Sequence, residues 1–216
     1  LGHTVNPARP HLAALRLAFR LWHGLRKILP VQTSKAFGAQ RTLNDQAIEK
    51  IYVINLDREP TRWSRVKQEL GRVRDAFGNG LLALTERHSA VDAKCFSQDP
   101  AKDAEVDPYY TLADQLFVEP QPQTLPTRYE LEAPIRMSRA EVAVAKSHIQ
   151  VWRRVAQGEQ DYALILEDDV WFHPGFARSV DQAWNEIAIE GGGHEGVDVL
   201  YVSYMEVTHG APKTFV

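Results

Sequence analysis

The chain has 216 residues, 44% of them hydrophobic and 25% charged, which is close to ordinary globular averages and enough to bury the core of one domain. One cysteine, Cys95, excludes an internal disulfide framework and any multi-cysteine metal site, and no apolar stretch reaches the roughly 20 residues that a membrane-spanning helix needs. The net charge of −3 hides a division: residues 1–44 carry seven Lys or Arg and no acid, whereas the remainder carries 18 basic against 28 acidic residues.

The division predicts a basic N-terminal segment over 1–44 and a main domain over 45–216. Leu1 stands where a natural start places Met, so a fragment is the expectation. After Pro10, the residues Leu12, Leu15, Phe19, Trp22, Leu25 and Leu29 recur at three- and four-residue spacing, with Arg16, Arg20, His23 and Lys27 on the other side. A basic amphipathic helix over 10–30 suits an anionic membrane surface. It equally suits packing on its own domain or on a partner.

The main domain opens on IYVINL (Ile51 to Leu56), an apolar run of the kind that a parallel strand buries on both faces. DREPTRWSRVKQELG follows, with Pro60 suited to a first helical turn, an apolar stripe of Trp63, Val66 and Leu70, and Gly71 at the end. A weaker strand is expected near Leu81 to Thr85 or His88 to Val91. Residues 92–136 hold six of the twelve prolines and read as a long irregular excursion, ordered by its aromatics. SRAEVAVAKSHIQVWRRVAQG then predicts a helix, with Ser138 and Glu141 in capping-box spacing and Gly158 at the exit. The strand YALILE, a helix from about Pro174 to Ile189 and a further strand in DVLYVSY complete an alternation that indicates a parallel α/β sheet.

The chemistry concentrates where the strands end. Glu167, Asp168 and Asp169 follow four apolar residues, at the edge where open α/β sheets bind ligands. Three adjacent acids repel one another, and a divalent cation relieves that repulsion; oxygen ligands favour Mg²⁺ or Mn²⁺. The competing reading is an acidic helix N-cap. Strand alternation sends Glu167 and Asp169 to one side and Asp168 to the other. At the end of the first strand stand Asn55, Asp57 and Arg58, with Arg62 one helical turn later, and two guanidiniums beside a helix N-terminus suit a diphosphate. Their plainer role is pairing with Glu59 or Glu69. His148 reads either as a packing residue or as a catalyst, and Glu141 as a cap or a ligand contact. No glycine-rich dinucleotide fingerprint or Walker motif occurs, and no nucleic-acid partner is expected.

Three blocks in this order, IYVINLDREPTRW, SRAEVAVAKSHIQVW and YALILEDDV, resemble glycosyltransferase family 25, which includes bacterial lipooligosaccharide and procollagen galactosyltransferases. The resemblance implies an A-type nucleotide-diphospho-sugar transferase fold, a UDP-sugar donor (often UDP-galactose) and inversion at the anomeric carbon. It places Asn55, Asp57, Arg58, Arg62, Glu141 and Asp168 by the nucleotide, and Glu167 and Asp169 on Mn²⁺ or Mg²⁺, with Asp169 and His148 as catalytic candidates. The acceptor implied is a glycan or a lipid-linked glycan, reached from the cytoplasmic face of a membrane by the basic N-terminal helix. The middle block departs from the family's usual GEIGCALSH at Ala140, Ala143, Val144 and Lys146 while keeping Glu141, Ser147 and His148. Family members continue beyond the point matching Val216, so a C-terminal truncation is expected. A non-catalytic sugar- or partner-binding relative and a metal-dependent phosphotransferase are the alternatives.

Overall fold

The structure, a computed structural model, describes residues 21, 25, 31–38, 47–96, 105–111, 113, 130–190 and 198–202. Its centre is a three-stranded parallel sheet. Strand β2 (Ile48–Asn55) lies in the middle, with β4 (Thr85–Ser89) on one side and β7 (Tyr162–Glu167) on the other. A small strand β1 (Gln32–Thr33) runs parallel to β3 (Val73–Arg74), and β5 (Tyr109–Tyr110) pairs antiparallel with β6 (Ile135–Arg136). The helices are α1 (Pro60–Leu70), α2 (Arg139–Gln157) and α3 (Phe176–Glu190).

Strand alternation sorts β2 and β7 into two faces. Ile51, Val53, Leu164 and Leu166 pack with Val66 and Leu70 of α1 and with Ala177 and Val180 of α3. Tyr52, Ile54, Ala163 and Ile165 meet Val151 and Val155 of α2 on the opposite face. Both sides of β2 are therefore covered, which is why it tolerates an unbroken apolar run. Leu70 and Val66 are fully buried, and a Leu→Ala truncation in such a core costs about 2–5 kcal/mol.

The helix boundaries follow local chemistry. Pro60 opens α1, where its missing N–H is no loss. A full capping box opens α2: the Ser138 hydroxyl accepts from Glu141 N, and Glu141 accepts from Ser138 N at 2.5 Å. Asp181 on α3 ties down the segment ahead of β2. One of its oxygens accepts from the Ser34 hydroxyl and from the backbone N–H groups of Lys35 and Ala36, at 2.5, 2.8 and 2.9 Å.

Two expectations change. The weaker strand is Thr85–Ser89, and the apolar Leu81–Leu84 forms a 3₁₀ turn, with Leu81 and Leu84 buried under the sheet. TERHS lacks apolar alternation because its side chains work through polar partners: Glu86 pairs with Lys50 and Arg154, and His88 Nε2 lies 3.1 Å from Gln150 Oε1. The strand read in DVLYVSY is not one over its described residues 198–202, where Val199 and Tyr201 are exposed. An apolar run becomes a strand only when a sheet edge accepts its backbone, and β7's outer edge has not taken this one. The helix read over 10–30 lies outside the described residues except for Leu21 and Leu25, both helical and exposed. Within the proline-rich stretch, the β5–β6 pairing and a bond from Met137 N to Pro108 O at 2.7 Å join the described ends.

Candidate functional site at the carboxyl ends of the sheet

The mouth of the sheet is formed by the ends of β4, β2 and β7, where Asn55 stands level with Ser89, and Ile54 with Glu167. Strand β2 leads into α1 on one face, while the chain after β4 goes on to α2 on the other. Diverging connections of this kind open a crevice beyond the strand ends, the usual ligand position in an open α/β sheet.

Asn55, 1% exposed, organises the crevice. Its amide nitrogen donates to Asp168 Oδ2 at 2.7 Å and to the Glu59 carbonyl at 3.1 Å, while its amide oxygen accepts from Arg87 Nε at 2.7 Å. The other oxygen of Asp168 accepts from Arg62 at 3.0 Å. This bond holds the Arg62 guanidinium even more firmly protonated than usual. Arg87 also reaches Asp57 at 2.7 Å, and the second Asp57 oxygen accepts from the Ser89 hydroxyl at 2.6 Å. Ser89 first, and Arg87 next, keep the Asp57 carboxyl below the usual carboxylate range. Arg58 pairs with Asp92, whose other oxygen caps the short turn at Lys94. The N-cap residue of α1, Glu59, makes no side-chain cap bond, and no acid lies in the first turn, which leaves the first N–H groups without a side-chain acceptor there.

Glu167 and Asp168 go to opposite sides, as strand alternation predicts, whereas Asp169 lies in the turn after β7 and does not rejoin Glu167. Asp168 continues the face of Leu164 and Leu166 toward α1, whereas Glu167 continues the face of Ala163 and Ile165 toward α2. There Glu167 Oε1 lies 3.2 Å from His148 Nε2. The His148 contact keeps the Glu167 carboxyl below its ordinary range, against the opposing pull of partial burial. His148 also leans on Trp152, with ring centroids 6.0 Å apart. Ser147, its neighbour, points away and is buried, accepting from Val91 N at 2.9 Å and donating to the Ala143 carbonyl. Asp169 is exposed and adds a distant attraction to Arg62.

Of the residues singled out from the sequence, Asn55, Asp57, Arg58, Arg62 and Asp168 thus converge on one side of the mouth, and Glu167 with His148 on the other. The plainer pairing of Arg58 and Arg62 with Glu59 or Glu69 is replaced by Asp92 and Asp168. Glu141 stands apart, its carboxylate committed to the α2 cap, which holds it below the ordinary carboxylate range. Arg87 and Ser89 escaped the sequence reading because their strand carries no apolar pattern, and Asp92 because it caps a short turn beyond that strand.

Among the described residues, no three His, Cys, Asp or Glu side chains gather as a ready-made metal cage. Both Asp168 oxygens already accept from protein donors. Glu167 and Asp169 still offer hard carboxylate oxygens, a donor set that fits Mg²⁺ or Mn²⁺ when phosphate oxygens and water complete the shell.

The model of glycosyltransferase family 25 (LPS biosynthesis protein) matches residues 48–195. A protein named "Glycosyltransferase 25 family member" from Aedes aegypti is 28% identical over 145 residues, covering 67% of this chain and 20% of its own length. Its namesake from Anopheles gambiae is 27% identical over 133 residues, covering 61% and 18%, respectively. A third, from Drosophila pseudoobscura pseudoobscura, is 25% identical over 146 residues, covering 64% and 18%. The chain thus spans about a fifth of the length of these relatives. No solved structure matches it significantly. The family match begins at the first residue of β2 and runs past α3, taking in all three strands that shape the mouth; the chain belongs to glycosyltransferase family 25.

Proposed function

We propose that this chain carries the donor half of a glycosyltransferase, which moves a sugar from a UDP-sugar to a hydroxyl of a glycan or glycolipid. The observation that carries this reading is the cation-lined mouth: Arg62 and Arg58 flank the uncapped N-terminus of α1, each oriented by a carboxylate behind it. Guanidiniums held in this way present their remaining N–H groups as a fixed fork, which matches phosphate oxygens. Because the fork is built before the ligand arrives, it stabilises negative charge as that charge develops on the leaving group.

At C1 one bond forms and one breaks. The acceptor oxygen attacks C1 of the donor sugar from the side opposite the diphosphate, the C1–O bond to phosphate breaks with its electron pair leaving on UDP, and the acceptor hydroxyl gives up its proton to solvent. Inversion follows from that single displacement. Galactose is the sugar favoured by the family resemblance. Glu167 and Asp169 are the residues that would hold Mn²⁺ or Mg²⁺, whose bound charge would further neutralise the diphosphate. The basic segment over 10–30 would bring the site to an anionic membrane carrying a lipid-linked acceptor on its cytoplasmic face.

The test is release of UDP from UDP-galactose and other UDP-hexoses, with Mn²⁺ and with chelator. Turnover in Mn²⁺ that falls at least about tenfold in Asp169→Asn is expected. A folded chain that neither binds UDP nor releases it from any UDP-hexose would refute the reading. Phosphate transfer without sugar transfer would assign the mouth to a phosphotransferase instead. Removal of residues 1–30, which leaves the core residues Ala36 and Phe37 in place, is expected to abolish sedimentation with anionic vesicles.

A further inference from the structure

The donor reading leaves Arg87 without a role, yet Arg87 donates three hydrogen bonds in the mouth. It lies on β4, two residues before the strand end, in register with Val53. Its Nε donates to Asn55 Oδ1 at 2.7 Å, and Nη2 donates to Asp57 Oδ1 at 2.7 Å and to the Asn55 carbonyl at 3.3 Å. A guanidinium donates and never accepts, so it fixes which end of the Asn55 amide faces β4. The amide nitrogen must then face the other way. It meets Asp168 Oδ2 and the Glu59 carbonyl, two groups that only accept. Asp168, pinned through one oxygen, turns the other to Arg62.

These contacts form one rail across three strands and a helix: Asp57, Arg87, Asn55, Asp168, Arg62. Its middle is buried, with Asn55 at 1% and Asp168 at 9% exposure. Its ends are open: the Asp57 side chain is 71% exposed and that of Arg62 47%. One end, Asp57 with Ser89, is an acceptor for hydroxyl or N–H groups; the other is a guanidinium for phosphate. If Arg87 could not donate, Asn55 would either bury an unsatisfied oxygen or flip and press that oxygen against Asp168. The orphaned oxygen loosens the hold on the amide that pins Asp168, and the flip turns Asp168, and with it Arg62, out of place.

We infer that Arg87 is a positioning residue for nucleoside diphosphate, setting through Asn55 and Asp168 the spacing between the Asp57 end and the Arg62 end of the subsite. Arg87 itself need not touch the ligand. The inference rests on the donor reading above, and its test separates the two.

The probe is UDP, titrated calorimetrically against the full chain. Arg87→Lys keeps the charge but cannot fork between Asn55 and Asp57, and is expected to raise the UDP dissociation constant about tenfold while the circular dichroism spectrum stays native. Combined with Arg62→Lys, the double variant is expected to weaken binding by at least about threefold less than the product of the two single effects, because both break the same rail. Independent single effects, or an Arg87→Lys dissociation constant equal to wild type, would overturn the inference. The Asn55 side-chain amide reports on the rail without any ligand: by ¹⁵N NMR its protons are expected to exchange about tenfold faster in Arg87→Lys than in wild type. Unchanged exchange also overturns the inference, whatever UDP does. A wild type that fails to bind UDP, with exchange responding as expected, refutes the donor reading and leaves the rail in place.

Discussion

At the scale of single residues, the mouth works by giving each polar group a partner of fixed polarity. Asp168 shows what this requires: a carboxylate at 9% exposure is tolerated because Asn55 and Arg62 each donate to it. Asp168→Ala removes the acceptor for a buried amide N–H and for a guanidinium together. The expected loss is about 2–3 kcal/mol of unfolding free energy, measured by urea titration. Ser147 poses a similar problem on a smaller scale. Ser147→Ala leaves Val91 N–H without its hydroxyl acceptor and is expected to destabilise by about 1–2 kcal/mol in the same assay. Ser147→Val, which adds bulk at a 1%-exposed position as well, should do worse.

At the scale of elements, what holds the site in shape lies mostly away from it. The carboxylate of Asp181 on α3 gathers three donors from 34–36, just before β2, and Ser34 there is fully buried. Asp181→Ala orphans all three and is expected to cost about 3 kcal/mol; Asp181→Asn, which keeps one acceptor oxygen, should cost less than half of that. Chemical denaturation of both variants checks the ordering. Helix α2 is fixed at its start by the Ser138–Glu141 box and along its length by Glu105, which pairs with Arg153 and, at 3.3 Å, with Lys146. Ser138→Ala removes the cap and is expected to cost about 1 kcal/mol.

At the scale of the whole molecule, the sheet edges are laced with carboxylate pairs, and this sets the response to acid. Asp57, Glu86, Asp92, Glu105, Glu141 and Glu167 all sit below the ordinary carboxylate range in the folded state, held there by hydrogen bonds from their partners. The unfolded chain therefore binds protons first as pH falls. Stability is fully present above the unfolded values near pH 4 and is lost as pH drops through the lowered folded values. Thermal unfolding followed from pH 7 to pH 3 should show a flat region above about pH 5 and a falling melting temperature below it. Because these pairs lie near the surface, 1 M salt should flatten the fall. A melting temperature that rises on acidification would contradict the assignment of the pairs.

Much of this architecture follows from sequence alone, wherever neighbours in the chain carry the information. The apolar runs of β2 and β7, Pro60 and Gly71 bounding α1, and the Ser138–Glu141 box each act within a few residues, so their effect is local and readable. So is the alternation that sends Glu167 and Asp168 to opposite faces. The sequence placed acids and arginines at strand ends, and the family match spans all three blocks that carry them. Tertiary structure alone decided which arginine meets which acid. Arg62 finds Asp168 across 106 residues, Arg58 finds Asp92, and Arg87 reaches Asn55 from a strand with no apolar signature. It also decided against a strand at residues 198–202, where apolar content is high but no sheet edge pairs with the backbone. The physical reason is the same in each case. Periodicity and capping are properties of neighbours along the chain, whereas a charge pair or a strand pairing forms between groups that only the folded sheet brings within hydrogen-bonding distance.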